Sequence, residues 1–355
     1  MFFVQKPTNG LISTFFPVMV ASLWHRIHRK MFVISVYYQI FQGLIHVDFF
    51  SASIVVIGLI LFETISSIDN AIINAQVLST MQQWARRWFL LWGLFFAVFL
   101  VRGLLPWVIV WATLPSLGPM GAFTATFSGD PEVVAAVKAS APILLIGGGT
   151  FLIFLFFHWL FLEPKHFGLP GEAFILRQGG WFFAVVSIIL AVLVWFALHK
   201  NTLMGFSAVV GSSAFFITHG FREHAEKVEQ DLIGSRMSDW SKIMYLEVID
   251  ATFSIDGVLG AFAFTLSVPL ILIGNGIGAF VVREFTVSNV ERIKKYHYLK
   301  NGAMYSIFFL GIIMIAESFD AHIPIWLSPV TTFGVVGFFF FKSRAEINSG
   351  DSPLD

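Results

Sequence analysis

The stretch LFETISSIDNAIINAQVL, Leu61 to Leu78, decides how this chain is read. It lies within an apolar run, yet it holds two carboxylates (Glu63, Asp69), two amides (Asn70, Asn74) and the paired serines Ser66 and Ser67. A carboxylate at the centre of a membrane helix costs about 2.5–3.5 kcal/mol on insertion scales, so such a group faces the bundle interior or a wet cavity. Acids in this setting point to a functional polar site, provided that the surrounding chain spans a membrane.

Composition says that it does. The 355 residues are 57% hydrophobic and 12% charged, and Phe alone occurs 42 times; a soluble domain carries about 25% charged residues. Apolar runs of about 20 residues recur, each long enough to cross a bilayer core about 30 Å thick. The expected fold is an all-α polytopic membrane protein. The formal net charge is zero, which gives no pull toward nucleic acid. The chain has no cysteine, which excludes disulfides, thiolate metal sites and a cysteine nucleophile. The first apolar stretch, 11–24, lacks a preceding basic region and a small-residue cleavage site, so it does not read as a signal peptide. It is expected in the membrane interface, unless Met31 is the natural start.

Spans are expected at 31–48, 51–80, 88–111, 141–161, 181–198, 202–219, 243–266, 268–283, 302–318 and 323–341, nine to ten transmembrane helices in all. If HRIHRK (25–30) is cytoplasmic, the connections on that side hold eighteen Lys and Arg, against only Lys138 and Lys200 outside. This positive-inside bias predicts a plasma-membrane protein with a cytoplasmic C-terminus. The chain then divides into an N-terminal segment with one membrane helix (1–48), a first repeat with connecting helices (49–219), a cytoplasmic connection (220–242), a second repeat (243–341) and a cytoplasmic tail (342–355).

The word repeat rests on alignment. SSIDNA (66–71) matches FSIDGV (253–258), which sets Asp69 on Asp256, Glu63 on Asp250 and Ser67 on Ser254. GLFFAVFLVR, ending at Arg102, matches GNGIGAFVVR, ending at Arg283, and FLFFHWLFLE, ending at Glu163, matches FFLGIIMIAE, ending at Glu317. Five spans separate the two SID helices, so the repeats run in opposite directions. Inverted repeats are a common transporter design, with the site at their interface near the midplane. Arg102 then lies toward the outer face and Arg283 toward the inner face. Each either snorkels to the headgroups or pairs with an acid and gates the site.

Glu247 and Asp250 are three apart and share a helix face. Glu63 to Asp69 and Asp250 to Asp256 are six apart, about 240° around a straight helix. If all the acids line one site, both helices are irregular, near Ser66–Ser67 and near Thr252–Ser254; if the helices are straight, only part of the set meets the ligand. Carboxylates, amides and backbone carbonyls without cysteine suit a hard divalent cation, Mn²⁺, Mg²⁺ or Ca²⁺, and carboxylates also take protons, which makes proton exchange a natural cycle. His158 and His219 read as helix packers rather than ligands. The runs IGGGT (146–150) and IGNGIGAF (273–280) read as close helix contacts. Asn275 is expected to bond between helices or to reach the site.

FETISSIDNAIINAQVL and YLEVIDATFSIDGVLGAFAF resemble the two signature helices of the TerC/Alx family, and within it the DUF475 branch of membrane proteins. The resemblance runs from about Ser51 to Phe341. It implies a cation exporter, chiefly of Mn²⁺, with metal ligands at Glu63, Asp69, Asn70, Glu247, Asp250 and Asp256. Ser67, Ser254, Asn74 and Asn275 stand as secondary candidates. Most of the family has Asp-Ser in the second motif where this chain has Asp256-Gly257, which removes a hydroxyl. The implied ligand is the metal as substrate with no organic cofactor, the partners are protons and the lipid bilayer, and a homo-oligomer is compatible. The chain is not expected to be an enzyme: Asp69 and Asp256 lack the Tyr-Asp and Gly-x-Gly-Asp settings of intramembrane aspartyl proteases. The competing reading is a non-transporting scaffold of a metal or tellurite stress system.

Overall fold

The computed structural model describes residues 49–93, 95–96, 102–113, 115–127, 131–234, 237–293 and 295–349; within these, the side chains of Asp69, Asn70 and Arg102 lie outside the described residues. So do the expected span 31–48, the segment 11–24 and the end of the tail. The helices are α1 (Phe49–Ser66), α2 (Ile68–Ser79), α3 (Gln83–Trp88), α4 (Arg102–Thr113), α5 (Gly118–Phe127), α6 (Pro131–Leu162), α7 (Glu172–Arg177), α8 (Phe182–Lys200), α9 (Thr202–Gly234), α10 (Asp239–Ala261), α11 (Val268–Ile293), α12 (Leu299–Ser318) and α13 (Leu327–Ser349). A π-helical turn, Phe89–Gly93, follows α3. The described residues contain no strand. In lipid, every backbone group must be satisfied within its own segment, and helices do this.

Five of these helical segments are long and apolar enough to cross a membrane: Phe49–Ser66, Ala139–Leu162, Gly179–Lys200, Thr202–Arg222 and Leu299–Ser318. The signature helix α10 is of spanning length, and its acids are what lower its apolar character. On α8, Phe183, Ile188, Trp195 and Phe196 are exposed. Such a face would be a liability in water and is a lipid surface in a bilayer.

Several boundaries differ from the sequence expectation. The outer connection 112–140 is largely helical, because α5 lies within it and α6 begins at Pro131. The cytoplasmic connection 220–242 is mostly the continuation of α9 to Gly234. A 33-residue helix is about 50 Å long, well beyond the bilayer core. Its polar end carries good helix formers such as Glu, Lys and Ala, and nothing in the sequence stops it before Gly234. Asn201 separates α8 from α9 and caps the latter, its Oδ1 accepting from the Leu203 N–H at 2.8 Å.

The helix pairing is compatible with the expected inverted repeat. α1 and α10 run antiparallel where they meet: Gly58 lies against Phe264, Phe62 against Gly260 and Glu63 against Gly257. At one end of this pair, Lys242 donates to Thr80 Oγ1 at 3.0 Å. The first helix of each half packs on the second helix of the other half: Gly274 of α11 sits on Leu59, and its repeat counterpart Gly93 sits on Glu247. The third helices, α6 and α12, pack antiparallel on each other, with Gly148 beside Met314, Gly149 beside Ile315 and the tilted rings of Phe156 and Phe308 at 4.4 Å between centroids. The glycine runs are close helix contacts, as expected: a Cβ on Gly147 would meet Ser207 Oγ at 2.6 Å.

Outside the repeat interface, buried Glu172 fastens the connection after α6. Its carboxylate accepts from the N–H groups of Gly168 (2.8 Å) and Leu169 (3.1 Å), from Asn301 Nδ2 (3.2 Å) and from the Tyr305 hydroxyl (2.9 Å). Four donors fully solvate this carboxylate, which makes it structural.

Candidate functional site

The signature helix of the first half is interrupted at Ser67, between α1 and α2, as the sequence suggested. The interruption is mild: Ser67 N–H still donates to Glu63 O at 3.1 Å and Ala71 N–H to Ser67 O at 3.0 Å. The backbone there is therefore not unwound, and the carbonyls of Glu63 and Ser67 are already used. The matching irregularity expected near Thr252–Ser254 is absent. α10 runs unbroken from Asp239 to Ala261, and Ser254 spends its hydroxyl on the Asp250 carbonyl at 2.6 Å within that helix. A continuous α10 keeps Asp250 and Asp256 on different faces.

Each face meets a different arginine. Arg283 of α11 donates to Asp250 Oδ2 at 2.8 Å, with both side chains about nine-tenths buried. Arg283 also donates to Phe89 O at 3.1 Å and lies over the Phe89 ring, 4.6 Å from its centroid. It is thus turned inward, which corrects the snorkelling reading: an acid and a π-helical carbonyl give the guanidinium more than a headgroup would. Asp256 bonds Arg222 of α9, again with both side chains largely buried. Sequence reasoning missed Arg222 by assigning it to a cytoplasmic connection. The signal was there, since Arg222 is the first charged residue after the apolar run 202–219, and a buried Asp needs a counter-charge.

Glu63 is fully buried and accepts from Ser67 Oγ at 2.9 Å. It sits between two glycines of the other half. A Cβ on Gly257 would lie 2.8 Å from Glu63 Oε2, and one on Gly278 would lie 2.7 Å from Glu63 Cβ. The glycine of the second motif thus brings the Glu63 carboxylate close to the α10 backbone. Beside it, Asn275 is buried and donates to Gly257 O at 3.4 Å, while its Oδ1 accepts from no described residue. Asn74 is buried in the same condition. Glu247 presses on Gly93 of the π-helical turn, so Glu247 and Asp250 face that turn together. π-helical turns are frequent at functional sites. Asp69 and Asn70 stand at the start of α2, which packs against α9, α10 and α11; their side chains, and that of Arg102, lie outside the described residues. Among the described residues, no group of three or more His, Asp or Glu side chains is arranged to hold a metal ion.

A second polar cluster lies at the C-terminal end of α6. The rings of His158 and His219 are 3.7 Å apart, His158 Nδ1 is 3.4 Å from Glu163 Oε1, and Lys300 is 3.1 Å from Glu163 Oε2. Burial pushes the Glu163 carboxyl up, but His158 and the Lys300 ammonium outweigh it and hold the group at about 2. Glu163 therefore stays ionised above that pH. The histidines pack two helices together, as their sequence setting suggested.

Buried acids at the contact of two antiparallel signature helices, inside an all-helical bundle with lipid-facing aromatics, define a polytopic membrane protein with an intramembrane polar site. The chain belongs to the family described as protein of unknown function (DUF475), whose model matches residues 68–348. It is also similar to an uncharacterised membrane protein, YceF, of Bacillus subtilis (strain 168), 29% identical over 85 residues, which is 24% of this chain and 33% of that protein. The chain thus spans about a third of the length of the curated relative it matches. No solved structure matches.

Proposed function

We propose that the protein is a TerC-type exporter of the plasma membrane that carries a hard divalent cation, Mn²⁺ foremost, outward in exchange for protons. Its ligands are drawn from Glu63, Asp69, Asn70, Glu247, Asp250 and Asp256, and its C-terminus is cytoplasmic. The observation that carries this reading is the antiparallel meeting of α1 and α10, which sets Glu63 against Gly257, next to Asp256, inside the bundle. The acids are all-oxygen donors of the kind Mn²⁺, Mg²⁺ and Ca²⁺ prefer. The unused amide oxygens of Asn275 and Asn74 add neutral donors of the same hardness.

The scaffold reading has one observation in its favour: Asp250 and Asp256 are already neutralised by arginines, as purely structural acids would be. Transport in proteoliposomes separates the two. Wild type should move Mn²⁺ against a proton gradient, and Asp256→Asn, which removes one charge at constant size, should abolish transport while inserting normally. No Mn²⁺ movement by correctly folded wild type would leave the scaffold reading standing.

A further inference from the structure

The two described acids that lie six apart on α10 are each held by an arginine from a different neighbour, Asp250 by Arg283 of α11 and Asp256 by Arg222 of α9. These four side chains are at most 15% exposed. Arg283 belongs to the repeat; Arg222 has no counterpart in the repeat alignment and comes from the helix that links the halves. A carboxylate at this depth is costly unless it is paired with a cation or fully hydrogen-bonded. The guanidinium groups therefore occupy the oxygens that an arriving cation would need.

A second observation points the same way. The Asn275 side chain is completely buried, bonds the carbonyl of Gly257 beside Asp256, and leaves Oδ1 without a partner among the described residues. A guanidinium held by Asp256 satisfies the acid and not this oxygen.

Resting on the export reading above, we propose that Arg222 is a tethered counterion of the empty carrier, and that the transported divalent cation binds by displacing it from Asp256. Arg222 then sets affinity and release. It weakens cation binding by competing for Asp256, and it drives the cation off by returning. It also lets the empty protein reorient without a bare acid in low dielectric.

The test is Mn²⁺ binding by titration calorimetry on purified protein, paired with Mn²⁺ transport in proteoliposomes, for wild type, Arg222→Gln, Arg222→Lys and Asp256→Asn. Arg222→Gln should bind Mn²⁺ about 5- to 150-fold more tightly, the usual span of coupling between two linked sites, and should turn over more slowly. Arg222→Lys keeps the charge without the bidentate fork and should fall between Gln and wild type, which retains a readout if the Gln variant folds poorly. Unchanged or weaker Mn²⁺ binding in both folded arginine variants would overturn the counterion proposal while leaving the site in place, provided that Asp256→Asn loses affinity. Wild-type Mn²⁺ affinity in Asp256→Asn would overturn the site reading and this proposal with it.

Discussion

Glu63 and Asp250 occupy equivalent places in the two halves and differ in their described partners. Glu63, completely buried, takes a hydroxyl from Ser67 one turn on and fits between Gly257 and Gly278. Asp250 takes a guanidinium from Arg283, and its own helical serine, Ser254, turns to the backbone instead. Among the described contacts, Glu63 reaches across to the glycines of the other half, whereas Asp250 meets the arginine of the neighbouring helix.

The comparison makes its largest claim about charge. Asp250→Asn would strand the buried Arg283, and removing one partner of a buried pair costs about 3–5 kcal/mol. Glu63→Gln keeps an oxygen for Ser67 and should cost no more than about 1.5 kcal/mol. Chemical unfolding in detergent would measure both. Equal losses would mean that the two acids are held alike after all.

A smaller effect is expected at the glycines around Glu63. Gly278→Ala would push a methyl into Glu63 Cβ and to 3.0 Å from the Ile60 carbonyl, neither of which can swing away. Overpacking of this kind costs about 1–3 kcal/mol. Gly257→Ser meets the far end of the Glu63 side chain rather than its Cβ, so its loss of thermal stability should be smaller. If Gly257→Ser is the more damaging change, the Glu63 carboxylate is fixed too rigidly to move aside.

The smallest contrast lies in the paired serines. Ser67→Ala removes a hydrogen bond to a carboxylate and should cost about 1 kcal/mol, together with altered Mn²⁺ binding through Glu63. Ser254→Ala removes only a bond to a helix carbonyl, which contributes little to stability, and should leave both melting temperature and Mn²⁺ affinity near wild type. Matching losses in calorimetry would show that Ser254 supports the site through Asp250.

The sequence alone was enough to establish an all-helical membrane protein, to mark acids within apolar windows and to suggest the role of the glycine runs. These are properties of single segments: an acid in an apolar window stands out, and a glycine in a packed helix marks close approach. Only the tertiary structure decided that α10 stays straight, that α9 runs on to Gly234, that Phe89–Gly93 forms a π-helical turn, and that Arg222 and Arg283 are the partners of Asp256 and Asp250. Each arginine lies more than thirty residues from its acid, and the pairing depends on how neighbouring helices are rotated and crossed. That is set by packing between helices, to which the apolar pattern of any one of them is blind.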